Sequence, residues 1–317
     1  MAALLLTAGV FAPASPARQD AGGDIADPER ARVVVPLSAV DKEGRPVEAL
    51  KAEDLRVTVE GQPQNILFFT RRTEEPLHVV VMLDASASQE LVLPQVKPAA
   101  AAFVSALLRP GRDDAAVVSF TDGAKVVQGL TADASAVARA IASIRFVPPP
   151  GYLPGRVIIG RPPMANDPAN RAGSTAVWDS LVNVCDEVFA RAKPGRRAIV
   201  LVTDGVDTSS RVRLDKAVER LLREGVAVYG VGIGDEESFE GVNRKTVLKV
   251  SEPTGGRAVF PKKPKDAPAA FERIRGELLN SYALSFEAPT ALRMGKPLKV
   301  RVELVNRELR RQGVQLS

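Results

Sequence analysis

Residues 79–83, Val-Val-Val-Met-Leu, are a short unbroken apolar run rich in β-branched side chains. The run ends on Asp84, with Ser86 and Ser88 at alternate positions beyond it. A run of this kind reads as a strand buried on both faces, as strands of parallel sheets are. That sets the fold class as α/β, because such a strand needs helices over both of its faces. In open α/β sheets ligands sit beyond the carboxyl ends of the strands. There Asp84, Ser86 and Ser88 present a carboxylate and two hydroxyls, donors that suit a small hard cation such as Mg²⁺. Taken by themselves, the serines serve equally well as caps for the next helix. The rest of the chain decides.

The 317 residues are enough for one large domain and a small one. Hydrophobic residues make up 45% and charged residues 26%, a globular composition. The net charge is +5, but the basic residues are spread along the chain and aromatics are only 5%. This leaves no basic-aromatic surface of the kind single-stranded nucleic acid requires. Residues 3–12 are apolar and small residues follow at 12–17, so residues 1–31 read as a signal peptide and flexible leader. Export to the periplasm or the medium is the expectation, although no Lys or Arg precedes the apolar run. The run is too short to span a membrane. The one cysteine, Cys185, shares a helical face with Val177, Leu181 and Val188 and reads as a buried structural thiol.

From residue 77 the pattern alternates strand and helix. Strands are expected near 79–84, 115–120, 124–130, 197–203 and 226–232. Helices are expected within 90–108, its regular part from Pro98, and over 133–144, 175–191, 212–224, 245–250 and 267–280. Alternation of this type predicts a doubly wound, mostly parallel Rossmann-like sheet covered by helices, spanning 77–280. Residues 32–74 and 281–317 carry strand patterns only, in amounts too small for a core of their own. The simplest arrangement pairs the two flanks into a small β-sandwich with the α/β domain inserted between them.

Three expected strand exits carry oxygen donors: Asp84, Ser86 and Ser88; Thr175 after Gly173 and Ser174; and Asp204 between Thr203 and Gly205. Thr175 could be an ordinary cap and Asp204-Gly205 an ordinary turn. In this order, however, the chain resembles the von Willebrand factor type A family, and in particular its bacterial branch. The metal-ion-dependent adhesion site of that family reads Asp-x-Ser-x-Ser, then Thr, then Asp. It matches here at Asp84, Ser86, Ser88, Thr175 and Asp204. The likeness extends to Val118-Ser119-Phe120, Ala176-Val177-Trp178-Asp179 and the flanking stretches 41–47 and 282–286.

The resemblance implies Mg²⁺, or Mn²⁺ in its place, held by those five residues. It also implies a protein ligand presenting an acidic side chain, and no enzymatic activity. The expectation is therefore a metal-dependent adhesion or interaction module of an exported bacterial protein, with no nucleic-acid or small-molecule substrate and no transmembrane segment. The alternative is a structural scaffold in which the metal only stabilises the fold. A serine hydrolase is disfavoured because His78, the one histidine, lies at the far end of the strand from Ser86, roughly 20 Å away at the rise of an extended chain. A phosphotransfer enzyme using Asp84 would want an acid where Ser86 stands. Gly230-Val231-Gly232-Ile233-Gly234 hints at a dinucleotide loop, but it follows a late strand with no helix carrying the fingerprint's third glycine, and it reads as a tight strand exit. Finally, residues 147–172 are long, rich in Pro and Gly, and lead directly into Thr175. Tyr152, Arg156, Arg161 and Arg171 make this loop the candidate partner-binding element.

Overall fold

A computed structural model describes residues 3–8, 32–43, 45–148, 152–153, 157–158, 174–234, 241–287 and 298–316. The chain opens with β1 (Ala3–Ala8), β2 (Arg32–Val40), β3 (Leu55–Val59), β4 (Gln62–Gln64) and β5 (Phe68–Arg71). It continues with β6 (Leu77–Asp84), α1 (Leu93–Leu107), β7 (Asp114–Phe120), β8 (Ala124–Thr131), α2 (Ala134–Ser143) and the short β9 (Tyr152–Leu153) and β10 (Val157–Ile158). Then come α3 (Val177–Glu187), β11 (Arg196–Thr203), α4 (Leu214–Arg223), β12 (Val226–Gly232), α5 (Arg244–Ser251), β13 (Ala258–Val259) and α6 (Ala267–Leu279). It closes with β14 (Ser281–Glu287), β15 (Leu298–Leu304), α7 (Arg307–Arg311) and β16 (Gln315–Leu316). Two compact units result: Met1–Glu74 with Gly276–Ser317, and Glu75–Arg275.

The second unit holds a six-stranded sheet in the order β13-β12-β11-β6-β7-β8. All neighbours are parallel except the edge strand β8, which returns antiparallel to β7 after the turn at Asp122-Gly123. Every residue of β6 is buried, as expected of a strand with helices over both faces. Val80 and Met82 pack in one core with Val177, Leu181 and Val184 of α3 and with Ala217 and Leu221 of α4. Val79, Val81 and Leu83, equally inaccessible, point the other way by the alternation of a strand. From β6 the chain winds outward through β7 and β8, then returns to β11 on the opposite side of β6. The boundary between β6 and β11 is therefore the topological switch point, the place where open α/β sheets bind their ligands.

Two helix starts differ from expectation. Helix α1 begins at Leu93, with Pro94 in its first turn and Pro98 inside it, not at Pro98. Pro98 costs one intrahelical bond, that to the carbonyl of Pro94. Both prolines lie on the exposed face, where water can take up the freed carbonyl. Helix α3 begins at Val177, not at Thr175, and its expected tail is a separate 3₁₀ turn, Phe189–Arg191. The glycines of the suspected dinucleotide loop serve packing instead: a Cβ on Gly230 would run into Val247 of α5.

In the first unit two antiparallel sheets, β1-β15-β3-β4 and β16-β2-β14-β5, share one core. Val33, Val35 and Leu37 of β2, Val57 of β3, Leu284 and Phe286 of β14, and Val302 of β15 meet in it, which makes the pair a sandwich. β2 and β14 pair along their length, from Ser281↔Ser38 to Glu287↔Arg32. The Tyr282 hydroxyl donates to the Val47 carbonyl (2.7 Å), and its ring stacks on Phe69 with centroids 5.2 Å apart. The apolar run read as a leader core lies in β1, which pairs with β15 from Ala3↔Glu303 to Ala8↔Leu298. The leader residues 9–31 lie outside the described residues. Among the described residues no helix is long and apolar enough to cross a membrane.

Candidate metal centre

Asp84 ends β6 at the switch point and is buried. Its Oδ1 accepts from the Ser86 N–H at 3.0 Å and its Oδ2 from the Thr203 hydroxyl at 2.7 Å. The first bond is a local carboxylate-to-backbone turn, which Asp forms readily two residues on. The second ties the end of β6 to the end of β11. The Ala85 N–H donates to the Phe120 carbonyl at 2.9 Å, so the loop is also pinned to β7. Residues 87–89 then make one 3₁₀ turn, which brings the hydroxyls of Ser86 and Ser88 to 3.2 Å of each other.

Asp204 follows β11. Its Oδ1 accepts from the Val206 N–H at 2.9 Å and its Oδ2 from the side-chain amide of Gln89 at 3.2 Å. Gly205 has φ +79°, and a Cβ there would lie 2.8 Å from both the Asn243 carbonyl oxygen and Val247, so only glycine fits. Gln89 and Thr203 were not singled out from the sequence. Each is buried and joins two parts of the site, yet the only signal for either was adjacency to a candidate ligand.

Thr175 reaches the same end of the sheet by another route. The neighbouring Ala176 N–H donates to the Thr121 carbonyl just beyond β7, at 2.6 Å. The Thr175 N–H donates to the Thr208 hydroxyl at 2.8 Å, and its carbonyl accepts from the N–H groups of Thr208 and Ser209. Its backbone is thus fully engaged. Asp84, Ser86, Ser88 and Asp204 are joined directly or through Thr203 and Gln89, and Thr175 is joined to the loop that Asp204 begins.

Of the loop residues, Tyr152 lies in β9 opposite Ile158 of β10. Arg156, Arg161 and Arg171 lie outside the described residues. His78 is buried at the opposite end of β6, its Nδ1 2.6 Å from Asp114 Oδ1. Cys185 is buried as expected, and burial pushes its thiol up to about 12.

The electrostatics favour a cation. Burial and the negative charge of Asp204 push the Asp84 carboxyl up to about 7, against the pull of its bonds from Ser86 and Thr203. A divalent ion between the two carboxylates would remove that repulsion. Among the described residues no cluster of three or more His, Cys, Asp or Glu side chains is arranged to hold a metal. The donor set here is instead two carboxylates supplemented by hydroxyls, all oxygen, which fits Mg²⁺ or Mn²⁺ better than a soft metal.

A doubly wound sheet with hydroxyl-flanked carboxylates at its switch point defines a class of ligand-binding α/β domain. Residues 166–271 match the model of the von Willebrand factor type A domain. That match falls within the second unit, Glu75–Arg275. A von Willebrand factor type A structure from Catenulispora acidiphila is similar, with a TM-score of 0.52 and 15% identity, covering 86% of this chain and 64% of that one. Proximal thread matrix protein 1 from the mussel byssus has a TM-score of 0.51 and 18% identity, covering 70% of this chain and 51% of that one. A structure of that mussel protein with a zinc-occupied metal-ion-dependent adhesion site scores 0.51 at 17% identity, covering 69% of this chain and 49% of that one. The chain thus spans about half the length of the mussel protein, and at these identities the likeness is one of fold. No curated protein matches the sequence.

Proposed function

We propose that this chain is a divalent-metal-dependent protein-binding module. In this reading Asp84, Ser86, Ser88, Thr175 and Asp204 hold Mg²⁺, or Mn²⁺ in its place, and the ion accepts a carboxylate from a partner protein as its last ligand. The observation that carries it is the buried pair Asp84 and Asp204, raised in energy by mutual repulsion and surrounded by neutral hydroxyls. Hydroxyl ligands leave positive charge on the ion, which an acidic side chain can satisfy. The zinc-occupied site of the mussel protein supports the presence of a metal. The reading is of a binding module, not an enzyme. The carboxylates are tied down by hydrogen bonds, and the one histidine lies at the other end of β6.

The surface beside the centre supports an acidic partner. Leu91 and Val147 are large exposed side chains, and the Val147 N–H donates to the Ala85 carbonyl, next to Asp84. A groove of about 380 Å³ lies nearby, lined by Leu93, Pro94, Lys97, Ile144, Arg145 and Phe146. Two cationic side chains, Lys97 and Arg145, line it, and the Lys97 ammonium donates to the Ala142 and Ile144 carbonyls. The loop at 147–172, with Tyr152, Arg156, Arg161 and Arg171, is proposed as the partner-binding element, its basic side chains complementary to an acidic partner.

Partner capture from the native host should require Mg²⁺ and fail in chelator. Capture that is indifferent to chelator favours the scaffold reading, in which the metal only stabilises the fold. Replacing residues 150–168 by a short Gly-Ser linker should leave metal affinity unchanged and lose the partner. Equal partner affinity in that variant removes the loop from the interface. Export is part of the proposal, and N-terminal sequencing of protein recovered outside the cytoplasm checks it. A mature chain that still contains β1 rules out cleavage after the small-residue stretch.

A further inference from the structure

We infer that residues 207–210 position Thr175 by capping α3 from outside the helix, and that metal affinity depends on them although none is a proposed ligand. The inference rests on the metal reading above and adds to it the parts that hold one ligand in place.

A helix start leaves its first N–H groups without intrahelical acceptors. The usual remedy is a Ser, Thr, Asp or Asn side chain at the residue just before the helix. Helix α3 has Ala176 there, which has no side-chain oxygen to offer. The acceptors come instead from the loop after β11. Asp207 Oδ1 accepts from the Val177 N–H at 2.8 Å. Ser210 Oγ accepts from the N–H groups of Trp178 (3.0 Å) and Asp179 (3.2 Å) and donates its own hydrogen to Asp207 Oδ1 at 2.6 Å. Asp179, in the first turn of α3, answers in kind: its carboxylate accepts from the N–H groups of Arg211 and Val212.

Between these two anchors sits Thr175. Thr208 takes its N–H and, with Ser209, supplies its carbonyl, while the Ser174 hydroxyl donates to the Ser209 hydroxyl at 3.1 Å. Thr175 therefore cannot shift without also uncapping α3 or breaking the paired backbone. The same loop begins with Asp204, so one short segment supplies one proposed ligand and fixes another. A ligand held this way is pre-organised, and groups that orient ligands commonly matter about tenfold to a hundredfold in metal affinity.

The competing explanation is that residues 207–210 only stabilise a helix. Asp133 is the matched control, because it caps α2 by accepting from the Ser135 and Ala136 N–H groups and touches no candidate ligand. The experiment titrates MgCl₂ and MnCl₂ by calorimetry into the full chain and follows unfolding in urea. Asp207→Ala should weaken Mg²⁺ binding about tenfold to a hundredfold. Asp207→Asn, which keeps the accepting oxygen, should recover to within about threefold of wild type. Asp133→Ala should lose comparable stability with unchanged metal affinity. Thr208→Val, which removes only the acceptor for the Thr175 N–H, provides a second reading should Asp207→Ala fail to fold, and should weaken binding in the same direction. Wild-type affinity in Asp207→Ala or in Thr208→Val overturns the inference, as does an equal loss in Asp133→Ala. A wild-type chain that takes up neither cation overturns the metal reading, and the inference with it.

Discussion

Asp84→Asn is expected to lower Mg²⁺ affinity by more than about a hundredfold, beyond the range typical of losing an outer-shell partner, while the fold persists. The side chain keeps its size and can still accept from the Ser86 N–H, so β6 should remain in register. What disappears is one of the two charges that would hold the ion. The same charge is a burden to the metal-free protein. Asp84 is buried beside Asp204, and its folded pKa of about 7 lies above the ordinary carboxylate value. A group raised on folding stabilises the native state in its protonated form. That contribution is present below the unfolded pKa near 4 and is lost as pH rises through about 7. Metal-free wild type should therefore lose stability between pH 4 and 7, by on the order of a few kcal/mol. Asp84→Asn should not show that loss, and saturating Mg²⁺ should restore wild type most at the upper end of the range. Urea midpoints at pH 5 and 8, in chelator and in MgCl₂, measure all of this. Equal calorimetric affinity of wild type and variant would remove Asp84 from the centre.

Deleting residues 281–317 is expected to unfold the first unit outright. Its buried cluster holds eight residues from Val33 to Val59 and eight from Tyr282 to Leu316, so the deletion removes half of the core. At about 1.5–3 kcal/mol for each large side chain buried, that loss is comparable to or larger than the roughly 5–15 kcal/mol by which whole domains are stable. β2 loses its partner β14, and β3 loses β15. Leu37, Val57 and their neighbours become exposed, and the unpaired strand edges invite association. Light scattering and a dye that reports exposed apolar surface should both rise. A monomeric truncated chain with a single two-state transition would show that the flanks do not depend on one another.

Much of this was legible in the sequence because it is periodic or local. The apolar run before Asp84 announced a doubly covered strand, and β2 occupies the stretch 32–40 its pattern marks out. The clustering of Asp84, Ser86, Ser88 and Asp204 followed from placing strand ends side by side. What could not be read depends on partners distant in the chain. Thr175 looked like the first residue of a helix because Thr is a good cap, yet the cap of α3 comes from Asp207 and Ser210. Gln89 carries no signal of its own in the sequence, because its partners, Asp204 and the Ile233 carbonyl, come from the ends of β11 and β12. Pro98 looked like a helix start because nothing in the sequence says which face is exposed.

The pairing of β2 with β14 also governs the order in which the molecule can be made. Ser38 and Glu277, hydrogen-bonded in the first unit, are 239 residues apart in the chain. During synthesis β2 emerges early and has no sheet to join until β14 and β15 leave the ribosome. The second unit, contiguous from Glu75 to Arg275, has everything it needs sooner. Its folding can be complete while the earlier strands still wait. Closing so long an intervening segment is entropically cheaper once that segment is already compact. The α/β domain should thus fold first, and mutations that slow its folding should leave the N-terminal strands waiting longer and prone to aggregation.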